Sequence, residues 1–172
     1  MFLLTLDGAI NTLDDNAMNF GLFAWLSETE TVRTSRRVKS SYEVRAKSGR
    51  FDEAPYGYDL ENGKLSIATD GSAEIVQLIY AEYIDGKSFD AIGRSLFNEH
   101  IPTPAQRKDH KNANIYWHGS TICQILEREI YTGCLVAKKT STISPTTTKR
   151  LINKPEDWII RENTHQAIIS KA

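Results

Sequence analysis

A basic run between Arg33 and Arg50 is the stretch of this sequence whose residue types and spacing best suit chemistry with a ligand. It holds seven lysines and arginines against one acid, Glu43, in a chain of 172 residues whose formal net charge is −1. Clustered cationic side chains bind phosphate groups through charge and charge-assisted hydrogen bonds. A junction of turn residues, Pro55 to Tyr58, follows directly. We therefore predict a basic helix end that leads into a small domain and contacts a polyanion, with DNA as the first candidate.

Charge is segregated along the rest of the chain as well. Residues 51–93 carry nine acids and two lysines, whereas residues 94–154 carry ten bases and four acids. Two basic zones separated by an acidic one predict one face for a polyanion and an opposite, solvated face. Ordinary solvated helix faces remain an alternative explanation of the charge pattern alone.

Residues that could support catalysis or metal binding do not form a recognisable pattern. The acid pairs have no neighbouring base, and the histidines lack metal-ligand spacing at His100, His110, His118 and His165. Cys123 and Cys134 lie eleven positions apart with no CxxC motif, so we interpret them as buried, reduced thiols. We predict no catalytic residue, no metal and no cofactor.

The start of the chain, Met1 to Leu6, is apolar but stops at Asp7 and has no positive flank. It is too short for a membrane span and lacks the layout of a signal peptide. We predict a short buried strand there and a cytoplasmic protein with no membrane partner.

One long helix is predicted from Ala17 to about Ser48, since neither glycine nor proline interrupts the chain after Leu22. Apolar residues recur at helical spacing in its first half, at Met18, Leu22, Trp25 and Leu26. Its second half is basic all round, so we expect it to run through solvent or along a ligand. The apolar half should be exposed in a single chain, and we predict that a partner protein surface or a second copy covers it, with a homodimer expected in the full-length protein.

Local signals downstream predict a hairpin and three short helices. The hairpin, Tyr58 to Ile67, centres on Asn62-Gly63, and the helices follow the capping residues Asp70-Gly71-Ser72, Ser88 and Gly119-Ser120. The buried face predicted for the first of these helices consists of Ile75, Leu78, Ile79 and Tyr83. A basic loop is predicted from Ala105 to Asn114, and two strands, Leu135–Lys139 and Leu151–Ile160, flank a Thr/Ser-rich turn.

The fold class predicted from these elements is α+β but predominantly α. A long N-terminal helix leads into a small helix-turn-helix-like domain with short β-hairpins.

Short motifs between Ser41 and Gly133 resemble, in order and spacing, the DNA-binding recombinase domain of the large serine recombinases, the phage integrase and transposon resolvase group. The motifs are Arg45–Phe51, Ala54–Tyr58, Ala73–Val76, Gly86–Ser88 leading to Ile92, Asn98 leading to Ile101–Pro104, Trp117, and Ser120–Ile122 through Ile125-Leu126 to Tyr131–Gly133. Two residues depart from the family: Asn11 replaces a usual aspartate and His100 a usual glycine.

The resemblance implies three segments. Residues 1–50 are similar to the C-terminal remnant of the catalytic domain, residues 51–154 to the recombinase DNA-binding domain, and residues 155–172 to the start of a linker toward an absent zinc-ribbon domain. The family's nucleophilic serine and its arginine cluster lie upstream of the segment that residue 1 matches. We therefore expect this chain to bind DNA but not to be an enzyme on its own.

The resemblance and the helix pattern together indicate three groups of DNA contacts. The residues that match the family's minor-groove linker are Arg45, Lys47, Ser48, Gly49 and Arg50. The candidate major-groove reader is the helix from Ser120, whose polar side carries Ser120, Thr121, Gln124 and Arg128. The candidate phosphate contacts are Arg36, Arg37, Lys108, Lys111, Asn112, Asn114, Lys138 and Lys139. Gln124 and Arg128 could equally be solvated helix residues, and Trp117 and Tyr131 are expected in the core.

The function predicted is site-specific binding of double-stranded DNA, at an attachment half-site, within integration and excision by a recombinase of a mobile genetic element. Association with the nucleoid is expected. The alternatives are a standalone DNA-binding regulator and a protein-interaction scaffold without affinity for DNA.

Overall fold

The computed structural model describes residues 17–170. The strand predicted at residues 1–6 lies outside these described residues, as does the side chain of Met18. Helix α1 (Ala17–Lys47) is the long helix predicted from the sequence. It ends in a Schellman motif, in which Arg50 N donates to Arg45 O at 3.0 Å and Gly49 N to Ala46 O at 3.1 Å. Gly49 stops the helix because its φ of 71° is a left-handed conformation that favours glycine.

Strands β1 (Tyr58–Glu61) and β2 (Lys64–Ile67) form the predicted antiparallel hairpin. Asn62 and Gly63 connect them with φ angles of 52° and 79°, the positive values that a tight two-residue turn requires. This local prediction is confirmed to the residue.

Two of the next helices, α2 (Ser72–Ile84) and α3 (Phe89–Asn98), begin where the sequence predicts. Asp70 Oδ1 accepts a hydrogen bond from Ser72 N at 3.0 Å, and Ser88 Oγ accepts one from Ala91 N at 3.3 Å. Both acceptors satisfy backbone donors that a helix start leaves unpaired.

The continuous loop predicted from Ala105 is wrong, because a short helix, α4 (Pro104–Arg107), occupies its first part. Thr103 Oγ1 accepts from Gln106 N, and Gln106 Oε1 accepts from Thr103 N, which forms a capping box. Pro104 supplies the first helical residue, where its missing N–H costs nothing. Pro104 thus begins a helix, whereas α3 ends earlier, at Asn98.

Helix α5 (Gly119–Leu126) is the predicted third helix, but Ser120 is not its cap. His118 precedes the first residue and makes no capping hydrogen bond through its side chain. The segment before α5 instead lies against α3, since a Cβ at Gly93 would come within 2.4 Å of Trp117 O. The start of α5 is thus positioned by packing rather than by a cap.

The strands near the C-terminus pair differently from the prediction. Strand β3 (Leu135–Ala137) pairs with β6 (Ile159–Arg161), and β4 (Thr140–Thr142) pairs with β5 (Arg150–Ile152), both antiparallel. Short 3₁₀ turns occupy Glu129–Thr132 and Pro155–Asp157. The predicted Thr/Ser-rich turn therefore begins with a strand, and the predicted strand Leu151–Ile160 is two strands separated by a turn.

The hydrophobic core lies between the β1–β2 hairpin, α2, α3 and α5. Its largest fully buried side chains are Tyr58, Val76, Ile79, Ile92, Leu96, Ile122 and Tyr131. Trp117 is buried as predicted, whereas Tyr83 is exposed and stacks on Phe89 at the surface. Cys134 is buried and Cys123 only partly so, and neither is in a disulfide.

Tyr58 connects the core to the last described residues of the chain. Its ring contacts those of Tyr131, at 6.0 Å between centroids, and His165, at 4.9 Å. Its hydroxyl donates to Gln166 O at 2.9 Å, and burial raises the pKa of this phenol to about 12. Residues 165–170 therefore pack on the core; the predicted segment boundary at residues 154 and 155 stays a prediction.

The first half of α1 exposes apolar side chains, as expected for a single chain. Leu22, Trp25 and Leu26 are 54%, 59% and 45% exposed. Within residues 17–170, every helix is too short or too polar to cross a bilayer.

Two tyrosines provide a matched test of this core. Tyr58→Phe should lower the free energy of unfolding by about 1 kcal/mol, because Gln166 O loses a buried donor. Tyr131→Phe should be neutral or stabilising, because the Tyr131 hydroxyl is buried with no hydrogen-bond partner among residues 17–170. Urea unfolding of both variants measures the difference. A cost at Tyr131 equal to that at Tyr58 would contradict the roles given to the two hydroxyls.

Candidate nucleic-acid interface

The C-terminal half of α1 is attached along one side to the strands. Lys39 Nζ donates to Thr142 O at 3.0 Å, and Glu43 pairs with Lys138 at 2.9 Å. The Arg161 guanidinium donates to Lys47 O, with Nε at 2.8 Å. The expectation that this half runs free through solvent is therefore wrong for one of its sides. A basic helix can lie beside Lys138 and Arg161 because these bases meet acceptors on it, namely the Glu43 carboxylate and the Lys47 backbone oxygen, and because Lys39 itself donates to a neutral backbone oxygen.

The five residues predicted as a minor-groove linker form the end of α1 and its cap. Arg45 pairs with Asp52 at 2.9 Å, and Ser48 Oγ donates to Arg45 O at 2.8 Å. Gly49 provides the left-handed turn, while the side chains of Lys47 and Arg50 are exposed. The structure thus brings the five together as a compact, folded corner rather than as an extended segment.

Three of the four predicted major-groove residues meet in one cleft. Thr121, Gln124 and Arg128 line it together with Lys108 and Glu53. Ser120 is exposed but does not line this cleft. Helix α5 ends at Leu126, so Arg128 does not continue its face at helical spacing as predicted. Arg128 reaches the same cleft from the extended residue that precedes the 3₁₀ turn.

Two further depressions adjoin this cleft. The second shares Gln124 and Arg128 with it and extends to Val136 and Lys139. The third shares Val136 and Lys139 with the second and extends between the strands and α1 to Arg45. We call the three together the basic groove. Its charged lining residues are the bases Lys39, Arg45, Lys108, Arg128, Lys138, Lys139 and Arg150 and the acids Glu53, Glu127 and Glu129.

The basic groove joins residues that the sequence analysis assigned to separate roles. Arg45, one of the five residues predicted for the minor groove, lines it at one end, and Gln124 of α5, predicted for the major groove, lines it at the other. Lys39 and Arg150 also line the groove, although neither was predicted as a contact. Lys39 belongs to the basic run that ends α1, but only the fold shows that it lines one groove together with Arg150.

All three of the predicted phosphate contacts in the groove are already paired with acids. Lys108 bonds Glu53, Lys138 bonds Glu43, and Lys139 bonds Glu129 at 2.7 Å while its ammonium lies over the Trp158 ring. The hydrogen bond from Lys108 lowers the pKa of Glu53. Burial opposes the ionisation of Glu129, but hydrogen bonding by Lys139 still lowers the pKa of its carboxyl. These carboxyls are therefore ionised at neutral pH and hold their lysines in place.

The remaining predicted phosphate contacts lie elsewhere. Arg36, Arg37, Lys111 and Asn112 are exposed and form no ion pair within the described part of the chain. Asn114 has a structural role, because its Oδ1 accepts from Tyr116 N at 3.0 Å and its backbone oxygen accepts from Thr103 Oγ1 at 2.8 Å.

Arg107 belongs to the basic zone in the sequence but is not available for a ligand. Its guanidinium donates to Asp70 at 2.5 Å, to Asp59 at 2.7 Å and to Tyr58 O at 3.0 Å. Burial opposes ionisation of Asp70, yet hydrogen bonds from Ser72 and Arg107 lower the pKa of its carboxyl to about 2. This network holds α4 against β1 and α2, and so positions the neighbouring Lys108 in the groove. No signal in the sequence pairs these residues.

Groups suited to other chemistry are sparse in residues 17–170. No three histidine, cysteine or acidic side chains come together there as a metal site requires. His165, with its pKa lowered by burial, bonds Thr164 Oγ1 and Ile130 O within the core.

Comparison with known proteins identifies relatives of this chain. A sequence model of the family described as Recombinase matches residues 71–172, from the start of α2 onward. The uncharacterized protein YefB of Bacillus subtilis (strain 168) is 39% identical over 74 residues, which cover 43% of this chain and 25% of YefB. The chain thus spans about a quarter of the length of this curated relative. No solved structure matches this chain.

The Arg107 network predicts a pH-dependent contribution to stability. Asp70→Asn should lower the free energy of unfolding at neutral pH, because a neutral amide bonds Arg107 less strongly than a carboxylate. The folded-state pKa of Asp70 lies below its ordinary value of 3.8, so its stabilisation is present above about pH 4 and is lost as the pH falls through about 2. Urea unfolding at pH 6 and pH 2.5 measures this.

Asp85→Asn is the matched control, since Asp85 is exposed and makes no ion pair among residues 17–170. A destabilisation by Asp70→Asn that is the same at both pH values would contradict the role given to the ionised carboxylate.

Proposed function

The chain belongs to the Recombinase family, and from this premise we propose that it binds duplex DNA site-specifically as part of a large serine recombinase. The family resemblance predicted from the short motifs is confirmed, and a role connected with DNA recombination follows from it. We propose that residues 17–170 bind DNA. We also propose that they form part of a longer protein that carries out strand exchange.

The observation that carries the proposal is the continuity of the basic groove. Its seven bases and three acids stand out in a chain whose formal net charge is −1. A surface of this kind attracts a polyanion and neutralises phosphates along its length. If the basic residues only solvated helix faces, they would not be expected to cluster in adjoining depressions.

We assign the roles along the groove by the chemistry of each side chain. Gln124 and Arg128 can read adenine and guanine through two hydrogen bonds each, and both face the cleft beside α5. Arg45, Lys47 and Arg50 lie at the corner after α1 and are assigned to the minor groove or the adjoining backbone. Lys39 and Arg150 join the predicted phosphate contacts because they line the same depression as Arg45.

A second candidate function, a standalone regulator that dimerises on DNA, is favoured by the exposed apolar half of α1. Pairing of two copies through Leu22, Trp25 and Leu26 would cover this surface and place two basic grooves on one duplex. The same pairing is compatible with a recombinase. Sedimentation of the chain with and without DNA tests it.

The corner after α1 predicts a contribution to binding that does not depend on sequence. Replacing Arg45, Lys47 and Arg50 with alanine should weaken binding to every duplex, because these side chains act on phosphates and on the potential of the groove. The slope of log affinity against log salt should flatten by about 0.9 for each phosphate that the variant no longer neutralises. Fluorescence anisotropy over a salt series measures both effects.

The matched control is the triple variant Lys64→Ala, Lys87→Ala and Arg94→Ala, which removes the same charge from exposed positions outside the basic groove. Equal salt slopes for the two triple variants would show that Arg45, Lys47 and Arg50 do not contact the DNA. Absence of duplex binding by the wild type at low salt would instead favour the scaffold alternative and overturn the proposed function.

The cleft beside α5 predicts a different result. Gln124→Ala or Arg128→Ala should change the preferred base at one or two positions and cost about 1–3 kcal/mol on the preferred duplex. Selection from a random duplex pool with each variant measures the change. Gln166→Ala, at an exposed site outside the groove, should recover the wild-type motif. A uniform loss across all sequences would show that the two side chains contact phosphates.

A further inference from the structure

Ion pairs in the described part of the chain are concentrated at the basic groove. Of seven such pairs, two belong to the Arg107 network, one is Lys87–Glu82, and the other four involve groove bases. Exposed pairs of this kind contribute little to stability, because solvent screens them and ordering two side chains costs entropy. Their concentration where phosphates would bind therefore points to a role in binding.

Two of the four acids flank the side chains assigned to base reading. Glu53 bonds Lys108 in the lining of the first cleft, and Glu129 bonds Lys139 in the lining of the second, while Gln124 and Arg128 line both. The other two acids, Asp52 and Glu43, pair with bases at the end of α1 and its attachment to the strands. Glu53 and Glu129 are thus the paired acids nearest to Gln124, and the phosphates of a duplex that contacts Gln124 would come close to both.

We propose that Glu53 and Glu129 are specificity-determining residues, which withhold Lys108 and Lys139 from DNA until a duplex of the correct sequence is seated. This inference rests on the proposed function. When a duplex of another sequence binds, each lysine is still paired with its carboxylate, and that carboxylate repels the phosphates of the duplex. A seated duplex brings a phosphate within reach of each ammonium, which exchanges one anionic partner for another.

The geometry allows the exchange to occur without unfolding. The side chain of Glu53 is 76% exposed and that of Glu129 is 45% exposed, so each carboxylate can turn into solvent when its lysine leaves. The exchange costs the seated duplex little, because each lysine gives up a carboxylate and gains a phosphate. A scrambled duplex makes no such exchange, and its phosphates are repelled by the carboxylate that remains. Binding without sequence preference depends mainly on phosphate contacts, so it suffers most when lysines are withheld. Specificity improves in this way because the affinity for duplexes of other sequences is lowered.

The test compares two duplexes of equal length with the full chain. One is selected by the wild type from a random pool, and the other is a scrambled version of it. Glu53→Gln and Glu129→Gln should each raise affinity for the scrambled duplex by up to about fivefold, the value of one exposed ion pair, and raise affinity for the selected duplex less. The specificity ratio should fall accordingly.

Two controls separate this mechanism from a general change in charge. Glu74→Gln removes the same charge from an exposed position on α2 outside the groove and should leave the specificity ratio unchanged. In a Lys108→Ala background, Glu53→Gln should give a smaller gain than in the wild type, because no lysine remains to be released. Thermal unfolding of each variant checks that the fold is retained.

The possible outcomes are distinct. An unchanged specificity ratio, or a Glu53→Gln gain that persists without Lys108, overturns the inference but leaves the proposed function standing. A drop in affinity for the selected duplex alone would show that a carboxylate contacts a base, and would also overturn it. Failure of the wild type to bind either duplex at low salt overturns the proposed function together with this inference.

Discussion

Tyr58 is fully buried, and its contacts hold several separate segments of the described structure together. A fully buried tyrosine must place its ring in the core and still find partners for its polar groups. The ring contacts Tyr131 and His165, the hydroxyl bonds Gln166 O, and the backbone oxygen accepts from Arg107. One residue of the hairpin therefore joins α4, the turn after α5 and the last described segment into a single packed unit.

The basic groove is a consequence of this packing. Arg107 is held by Asp59 and Asp70, which places α4 and leaves Lys108 at the edge of the cleft. The turn that contains Tyr131 begins just after Arg128, and β3 and Lys139 follow it. At the other end, Phe51 contacts the His165 ring edge-on at 5.2 Å and ties the end of α1 to the same core. The stability of the unit lies in buried apolar contacts, so the groove's exposed side chains are free to exchange partners.

Prediction from the sequence succeeded where short-range interactions decide the structure. Asn62-Gly63 specifies its turn because both residues adopt positive φ at low cost, and Ser88 caps its helix by a bond to a donor three residues away. Prediction failed where the partner is distant or where one residue fits two roles. Pro104 is equally suited to ending an element and to being a first helical residue, and β3 pairs with β6 rather than with its nearer neighbour. Within the candidate site, the residue types were predictable, but the paired acids were not.

Residue types and local patterns were enough to predict the long basic helix, the β1–β2 hairpin, the starts of α2 and α3, and the family to which the chain belongs. These rest on local propensity, on capping and turn residues, and on motifs that can be read without coordinates. The three-dimensional packing was needed to show that Gln124 and Arg45 lie along one groove, that Arg107 bonds acids within the fold, and that Lys108 and Lys139 are held by carboxylates. The physical reason is that ion pairs and shared surfaces depend on distance in space, whereas local propensity depends on distance along the chain.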